Sequence, residues 1–468
     1  MNGGRIAAAA LVLLLAGCAT FSEDGGFNRV SELTRERTGQ TPKWQRSPDD
    51  AQVAQVRVGE LLKTPLTPDS AVEFALLNNP GLQAGFQELG IAEADVVRAG
   101  RLRNPTFSFR NLAGGGVREI ERAIIFDVLS LLAMPLGQEL EQARFAQTQL
   151  QIANEAVGVA AEARRAYFTA VASGEMVKYY QQVKEAADAS AELARKMVQA
   201  GNFSKLAQMR EQAFYADATA QLARAQHQSV ADRERLVRVL GLSGSQLAFR
   251  LPERLPDLPK IPFEPQDAER TAIERRLDVL YAMRTTDAVA KSLQLTRATG
   301  FINVLHAGYA NKSQTGDSRE NGYEIELELP IFDFGTTRVA RAEATYLQAV
   351  QRTAEVALKA RSEVREAYSS YRTTFDLARH YRDEIVPLRK RISEENVLRY
   401  NGMLIGVFEL LADAREQVQS VTASVEAQRD FWLADTNLQT ALTGTSPGPM
   451  SALARTATAN APSGSAGH

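Results

Sequence analysis

Few residues in this chain of 468 have the type and spacing that catalysis or metal binding requires. No two histidines share helical spacing, and none has a neighbouring cysteine that would complete a metal site. They are His227, His306, His380 and His468. The glycine run Gly114–Gly116 is not followed by the lysine and hydroxyl residue of a phosphate-binding loop, so it predicts a flexible turn. We therefore expect no enzymatic activity, no metal and no cofactor.

The single cysteine, Cys18, indicates a covalent modification instead. It follows Arg5 and the short apolar run Ile6–Leu15, which is too short to span a bilayer and is typical of a secretory signal. Leu15–Cys18 reads Leu-Ala-Gly-Cys and resembles the bacterial lipobox, whose cysteine is acylated and becomes the mature N-terminus. We expect residues 1–17 to be a signal peptide and Cys18 to carry lipid. The alternative is an ordinary signal peptide with a chance cysteine. Ala19, which follows, favours the outer membrane.

Composition excludes some partners and favours helices. The net charge is −2 and 24% of residues are charged, so no surface for polyanions is indicated and nucleic acid is not an expected partner. Alanine, glutamate, arginine, glutamine and leucine dominate the middle of the chain, a composition typical of long helices.

The middle of the chain contains a long internal repeat. Residues 201–212 aligned with residues 406–417 share seven identical positions of twelve, and Glu162–Tyr167 matches Glu363–Tyr368. A repeat of this length usually represents one structural unit used twice. The sequence therefore predicts two long helical hairpins over residues 137–242 and 335–442, each with glycine at its tip.

Two other stretches, residues 104–136 and 300–334, alternate apolar and polar residues with a period of two, the pattern of strands. The second is the clearer, with Tyr323, Ile325 and Leu327 separated by glutamates. Each strand pair could pack on a soluble core, or could cross a membrane with its apolar face toward lipid. Because four strands cannot close a barrel, membrane strands require several chains. Two chains would give eight strands and a filled interior, and three would give twelve and a pore.

The remaining segments connect these units, so the predicted fold is mainly α with a small β part. We predict an extended N-terminal segment over residues 18–66 and short helices over residues 67–103 and 266–299. We also predict a proline-rich connector over residues 243–265 and a disordered tail over residues 443–468.

Taken together, the lipobox, the duplicated order of helix, strand pair and hairpin, Asn78–Leu82 and Gly201–Ser204 resemble the TolC family of outer membrane efflux factors. The resemblance extends to about Leu442. It implies a lipid-anchored homotrimer in the outer membrane, with a twelve-stranded transmembrane β-barrel and a periplasmic α-barrel of helical hairpins. It also implies an exit duct joined by a periplasmic adaptor protein to an inner-membrane pump, or a duct for type I secretion. The competing interpretations are a periplasmic adaptor and a structural coiled-coil lipoprotein.

In that family the tunnel narrows at the hairpin tips, where acidic residues form rings. The family pattern places its first acidic position on Glu409 and its second on Ala412, with Asp413 one residue beyond. We expect Glu409, aided by Asp413, to line the constriction and favour cations. The alternative is that both are solvated helix charges. The residues expected to form the tips and contact the adaptor are Gly201, Asn202, Ser204, Gly402 and Gly406.

Overall fold

The computed structural model describes residues 20–301 and 304–448. Cys18, the predicted signal peptide and the last twenty residues (449–468) of the predicted tail lie outside the described residues. The helices are α1 (Phe27–Thr38), α2 (Pro48–Leu61), α3 (Pro68–Asn78), α4 (Pro80–Ala99), α5 (Val128–Gln199), α6 (Lys205–Leu240), α7 (Ala268–Arg275), α8 (Leu277–Thr299), α9 (Thr336–His380), α10 (Val386–Asn401) and α11 (Val407–Thr443). The strands are β1 (Thr106–Gly114), β2 (Val117–Asp127), β3 (Leu305–Gln314) and β4 (Glu320–Leu327).

The chain divides into two compact units. The first, here called the sheet unit, comprises the described parts of Met1–Val30, Ala84–Ala153 and Leu277–Leu358. The second, here called the hairpin unit, comprises the described parts of Ser31–Gln83, Asn154–Arg276 and Lys359–His468. The long helices α5 and α9 each contribute residues to both units.

The four strands form one antiparallel sheet in the order β1-β2-β3-β4. The strand pairs of the two repeats therefore lie side by side, with Ile124 of β2 opposite Tyr309 of β3. Within the described residues, β1 and β4 each pair with one neighbour and leave one edge unpaired.

Close packing in the sheet unit joins the N-terminal segment to α4 and α5. The ring of Phe27 meets that of Phe86 edge to face, with centroids 5.0 Å apart. Gly26 has φ +75°, and a Cβ there would lie 2.3 Å from Cζ of Phe145. Only glycine suits both this backbone conformation and this close approach. The Gly26 carbonyl accepts a 2.9 Å hydrogen bond from the side-chain amide of Gln149.

Aromatic residues organise the core of the hairpin unit. Phe168 of α5 stacks on Trp432 of α11 with centroids 5.2 Å apart, and the neighbouring Tyr167 donates a 3.1 Å hydrogen bond to the Leu66 carbonyl. A second cluster surrounds Phe431 and Tyr371, whose centroids lie 5.5 Å apart. Stacked and edge-to-face rings of this kind contribute about 0.5–1.5 kcal/mol beyond their burial.

The proline-rich connector packs against the second hairpin. The carbonyl of Pro256 accepts hydrogen bonds from the Trp432 indole at 3.0 Å and from the Gln428 amide at 2.7 Å. The backbone N–H of Phe263 donates to the Tyr371 hydroxyl at 2.8 Å. The connector therefore satisfies polar groups of α9 and α11 that would otherwise be buried without partners.

The predicted extended N-terminal segment is wrong, because residues 27–38 and 48–61 form α1 and α2. The start of α2 has a capping box, in which the Ser47 hydroxyl accepts from the Asp50 N–H and the Asp50 carboxylate accepts from the Ser47 N–H. Pro48 occupies the first turn, where no intrahelical N–H is needed. Only Ala54 and Val58 of α2 are buried, which explains why its apolar pattern is weak in the sequence.

The first strand pair is also shorter than predicted, because α5 begins at Val128 rather than at 137 and includes Pro135. The carboxylate of Asp127 accepts a 2.9 Å hydrogen bond from the Ser130 N–H and so supplies a partner at the helix start. In the second pair, β4 ends at Leu327, so Leu329 and Ile331 lie beyond the strand that their alternation predicts.

Two interruptions occur in the second half. The predicted helix over 266–299 is two helices, separated at Arg276, whose φ −65° and ψ 132° are extended. Asn79 separates α3 from α4 with φ −67° and ψ 116°, so both repeats share the break.

Between α9 and α10 a π-helical turn spans Tyr381–Ile385. It precedes Pro387, which has no N–H to donate to the Asp383 carbonyl of a regular helix.

Candidate functional site

The sheet carries apolar and charged side chains on opposite faces. The strand register aligns Phe107, Ile124, Tyr309 and Tyr323 in one row across all four strands. All four are exposed in the single chain, Tyr323 by 86%. We call the face that carries this row the apolar face. An exposed apolar patch of this extent usually marks a surface that meets lipid or protein.

The other face, here called the charged face, carries the row Arg110, Glu121, Lys312 and Glu320. Arg110 pairs with Glu121 at 2.9 Å, and Lys312 pairs with Glu119 at 3.0 Å. The strand residues of this face include six carboxylates but only two basic side chains other than His306. The carboxylates are those of Glu119, Glu121, Asp127, Glu320, Glu324 and Glu326. The charged face is therefore net negative by about four charges, since carboxylates are ionised and Arg and Lys protonated at neutral pH.

The first hairpin tip joins α5 to α6. Gly201 has φ +75°, and the N–H of Asn202 donates to the Met197 carbonyl at 2.9 Å, which closes the end of α5. Ser204 precedes α6 and accepts a 3.1 Å hydrogen bond from the Ala207 N–H on its hydroxyl. The structure thus brings Gly201, Asn202 and Ser204 together in one turn and gives each a local role.

The second tip differs from the prediction. Gly402 and Gly406 both have negative φ, and the left-handed residue is Met403 with φ +60°. Met403 and Leu404 are 94% and 77% exposed. A non-glycine residue in this conformation is uncommon and costs about 1–2 kcal/mol.

The helix ends show which tip residues correspond. Each tip has five residues between its helices, 200–204 and 402–406, so Gly201 corresponds to Met403 and Ser204 to Gly406. The sequence repeat instead aligns Gly201 with Gly406. The two alignments differ by three residues, nearly one helical turn, so the apolar faces of α6 and α11 match almost equally well in either.

The two predicted acidic residues of the second tip have different environments. Glu409 lies in the first turn of α11 and is exposed, and a carboxylate is favoured there by the helix dipole. Asp413 is only 6% exposed, and one of its carboxylate oxygens has no hydrogen-bond partner. The structure therefore leaves Glu409 available to line a passage and places Asp413 inside the packed helices of the chain.

Sequence reasoning missed a third carboxylate, Glu211. It is 1% exposed, accepts a 2.8 Å hydrogen bond from the Ser190 hydroxyl, and has one oxygen without a partner. The sequence indication of Glu211 is the internal repeat, in which the Arg-Glu-Gln of residues 210–212 recurs at 415–417. That alignment pairs Glu211 with Glu416, which is exposed and forms an ion pair with Arg389.

Two further properties constrain the chemistry of the described residues. Over 20–301 and 304–448, no three histidine, cysteine or acidic side chains come close enough to hold a metal ion. None of the helices in the same ranges combines the length and the apolarity needed to cross a bilayer.

Comparison with known proteins identifies the fold. Neither models of known protein families nor curated proteins match the sequence. Solved structures do match. The CmeC outer membrane channel of Campylobacter jejuni aligns with a TM-score of 0.70 and 15% identity over 80% of this chain and 85% of that one.

Two other solved structures agree with this match. A membrane protein from Pseudomonas aeruginosa aligns with a TM-score of 0.69 and 19% identity, over 80% of this chain and 93% of that one. The MtrE outer membrane channel of Neisseria gonorrhoeae, in its open state, aligns with a TM-score of 0.65 and 16% identity over 80% and 88%. The chain therefore has the fold of outer membrane channels, which is the fold that the resemblance to the TolC family predicts.

Proposed function

We propose that this chain is one third of a passive duct through the outer membrane and periplasm, which releases substrates delivered by an inner-membrane pump. The observation that carries the proposal is the four-stranded sheet, with one apolar face, one charged face and two unpaired edges. An unpaired strand edge in lipid has no water to satisfy its N–H and C=O groups, so the edges of β1 and β4 require partners.

A homotrimer satisfies that requirement. β1 of one copy pairs with β4 of the next, and three copies close a barrel of twelve strands. The apolar face turns toward lipid and the charged face toward the lumen. Because the charged face is net negative, the lumen favours cations. The long hairpins α5–α6 and α9–α11 form the wall of the periplasmic tunnel.

One sequence feature and one structural feature support the location and the partners of the duct. Cys18 in its lipobox supplies a lipid anchor in the outer membrane. The second hairpin tip exposes Met403 and Leu404, two large apolar side chains that suit docking of a periplasmic adaptor protein. Opening and selection of cargo then belong to the adaptor and pump, and the duct itself performs no catalysis.

The test is single-channel conductance of the purified protein in planar bilayers, with a matched pair of substitutions on adjacent residues of β1. Phe107→Arg puts a charge in the apolar row opposite Ile124, where an arginine costs about 2–4 kcal/mol at the middle of the bilayer, and is expected to prevent barrel assembly. Ser108→Arg puts the same charge on the charged face at nearly the same depth and is expected to conduct.

Heat-modifiable migration in electrophoresis provides the second measurement, since closed membrane barrels resist detergent. A structural coiled-coil lipoprotein would give neither conductance nor heat-modifiable migration, and that result would overturn the proposal. Equal effects of the two substitutions would overturn the assignment of the faces.

A further inference from the structure

The apolar face of the sheet ends in a polar band beside the two strand turns. Its members, here called the turn-end band, are Asn111, Arg118, Arg122, Asn311 and Asn321. Arg118 Nε donates to the Asn111 side-chain oxygen at 3.1 Å, and Arg122 Nη1 donates to that of Asn311 at 3.2 Å. The Asn311 amide donates in turn to Asn321 at 2.7 Å. The asparagines thus hold both guanidiniums over the sheet.

Neither guanidinium of the band pairs with a carboxylate among the described residues. Glu119 and Glu121 are their neighbours in β2, but residues alternate between faces along a strand, and both glutamates lie on the charged face. A guanidinium has five N–H donors, so one bond to an asparagine leaves most of them available. The turn-end band is therefore positively charged and lacks counter-ions on its own face.

The band lies where an apolar surface gives way to a polar one. Arg122 is two residues beyond Ile124 of the apolar row, about 7 Å along the strand, and Arg118 is about 20 Å beyond it. In a membrane barrel, this transition lies at the level of the lipid head groups. Because the helices attach to the opposite end of the strands, the turns of the proposed barrel face away from the periplasm.

We propose that the turn-end band binds the phosphate groups of the glycolipid in the outer leaflet of the outer membrane. Arginine suits this ligand because its planar donors match phosphate oxygens in pairs. A trimer would place six such guanidiniums around the barrel. The inference rests on the proposed barrel.

The experiment measures lipid retained by the purified trimer in detergent, by native mass spectrometry. The probes are diphosphorylated lipid A and the same lipid after removal of its phosphates. Wild type is expected to retain the phosphorylated form preferentially. Substitution of both arginines (Arg118→Gln with Arg122→Gln) should reduce that preference about 10- to 30-fold. Arg118→Lys with Arg122→Lys should keep most of it.

The matched control removes the same charge from the other face, with Arg110→Gln and Lys312→Gln, and is expected to leave the preference unchanged. Equal loss in the control and the band variant would overturn the inference, as would no loss in either. If the double variant does not assemble, each single substitution is expected to reduce the preference about fivefold. Normal conductance without phosphate preference would refute the inference alone, whereas absent conductance in wild type would refute the proposed function.

Discussion

Glu211 and Asp413 occupy the same position in the two hairpins, since each is the seventh residue of its helix, counted from Lys205 and Val407. Both are buried, and each has one carboxylate oxygen without a hydrogen-bond partner. A buried polar oxygen without a partner costs about 1–3 kcal/mol. The hairpins therefore share a destabilising feature near both tips, although their sequences at these positions differ.

The first prediction separates the two acidic residues of the second tip. Glu409→Gln is expected to reduce the cation selectivity of the open channel several-fold, because an exposed ring of three carboxylates would be lost. Asp413→Asn should leave selectivity nearly unchanged, because that side chain is buried within the chain. Reversal potentials in salt gradients measure both. A larger effect of Asp413→Asn would show that the tip opens to expose it.

The second prediction concerns the cap of α6. Ser204→Ala removes the acceptor for the Ala207 N–H and should weaken the first turn by about 1 kcal/mol, so that this amide exchanges its hydrogen about five times faster. Ser204→Gly should weaken the first turn by only about a few tenths of a kcal/mol, because glycine is itself tolerated at this position. Gly406→Ser, at the corresponding site of α11, should slightly slow the hydrogen exchange of the backbone amides in the first turn of α11. Unchanged exchange at Ala207 in the alanine variant would contradict the assigned cap.

The sequence predicted the features that depend on local periodicity. Alternation in Tyr323, Ile325 and Leu327 identified the apolar side of β4, because neighbouring strand residues point to opposite faces. The repeat identified both hairpins, since a repeat of this length usually represents one structural unit used twice.

Features that depend on tertiary packing could not be predicted. The left-handed residue of the second tip is Met403 although Gly402 adjoins it, because the helix ends fix the turn and glycine is only a preference. Burial of Asp413 results from the packing of neighbouring helices rather than from its own pattern. The helix α2 was missed because its buried side is narrow.

The third prediction concerns Arg276, which is 1% exposed and occupies the break between α7 and α8. Its guanidinium donates to the Glu363 carboxylate at 2.7 Å. Arg276→Ala would leave Glu363 with the Ser446 hydroxyl at 2.8 Å and should destabilise the hairpin unit by about 3 kcal/mol. Chemical denaturation followed by circular dichroism measures the change.

An exposed ion pair on the adjacent helix provides the control for Arg276. Arg270→Ala breaks the 2.8 Å pair with Glu274 and should change the denaturation midpoint only slightly, because solvent screens an exposed pair. Similar losses in the two variants would mean that the Arg276–Glu363 pair is no more stabilising than a surface pair.

The last prediction follows from Asp435 in α11. Burial raises the pKa of its carboxyl from 3.8 to about 6, and the nearby Arg164 guanidinium lowers the pKa and offsets part of this effect. Because the folded-state pKa is the higher one, the unfolded chain ionises first as pH rises. The contribution of Asp435 to the free energy of unfolding is therefore full below about pH 4. It declines by roughly 2–3 kcal/mol as the pH rises to about 6.

Asp435→Asn removes this ionisation. The variant is expected to match wild type in its urea midpoint at pH 4 and to exceed it at pH 7.5, where wild type must bury a carboxylate. Glu426→Gln, an exposed position of the same helix, controls for the loss of one negative charge and should change neither midpoint appreciably. If wild type and Asp435→Asn differ equally at both pH values, the effect comes from packing or hydrogen bonding rather than from the carboxyl proton.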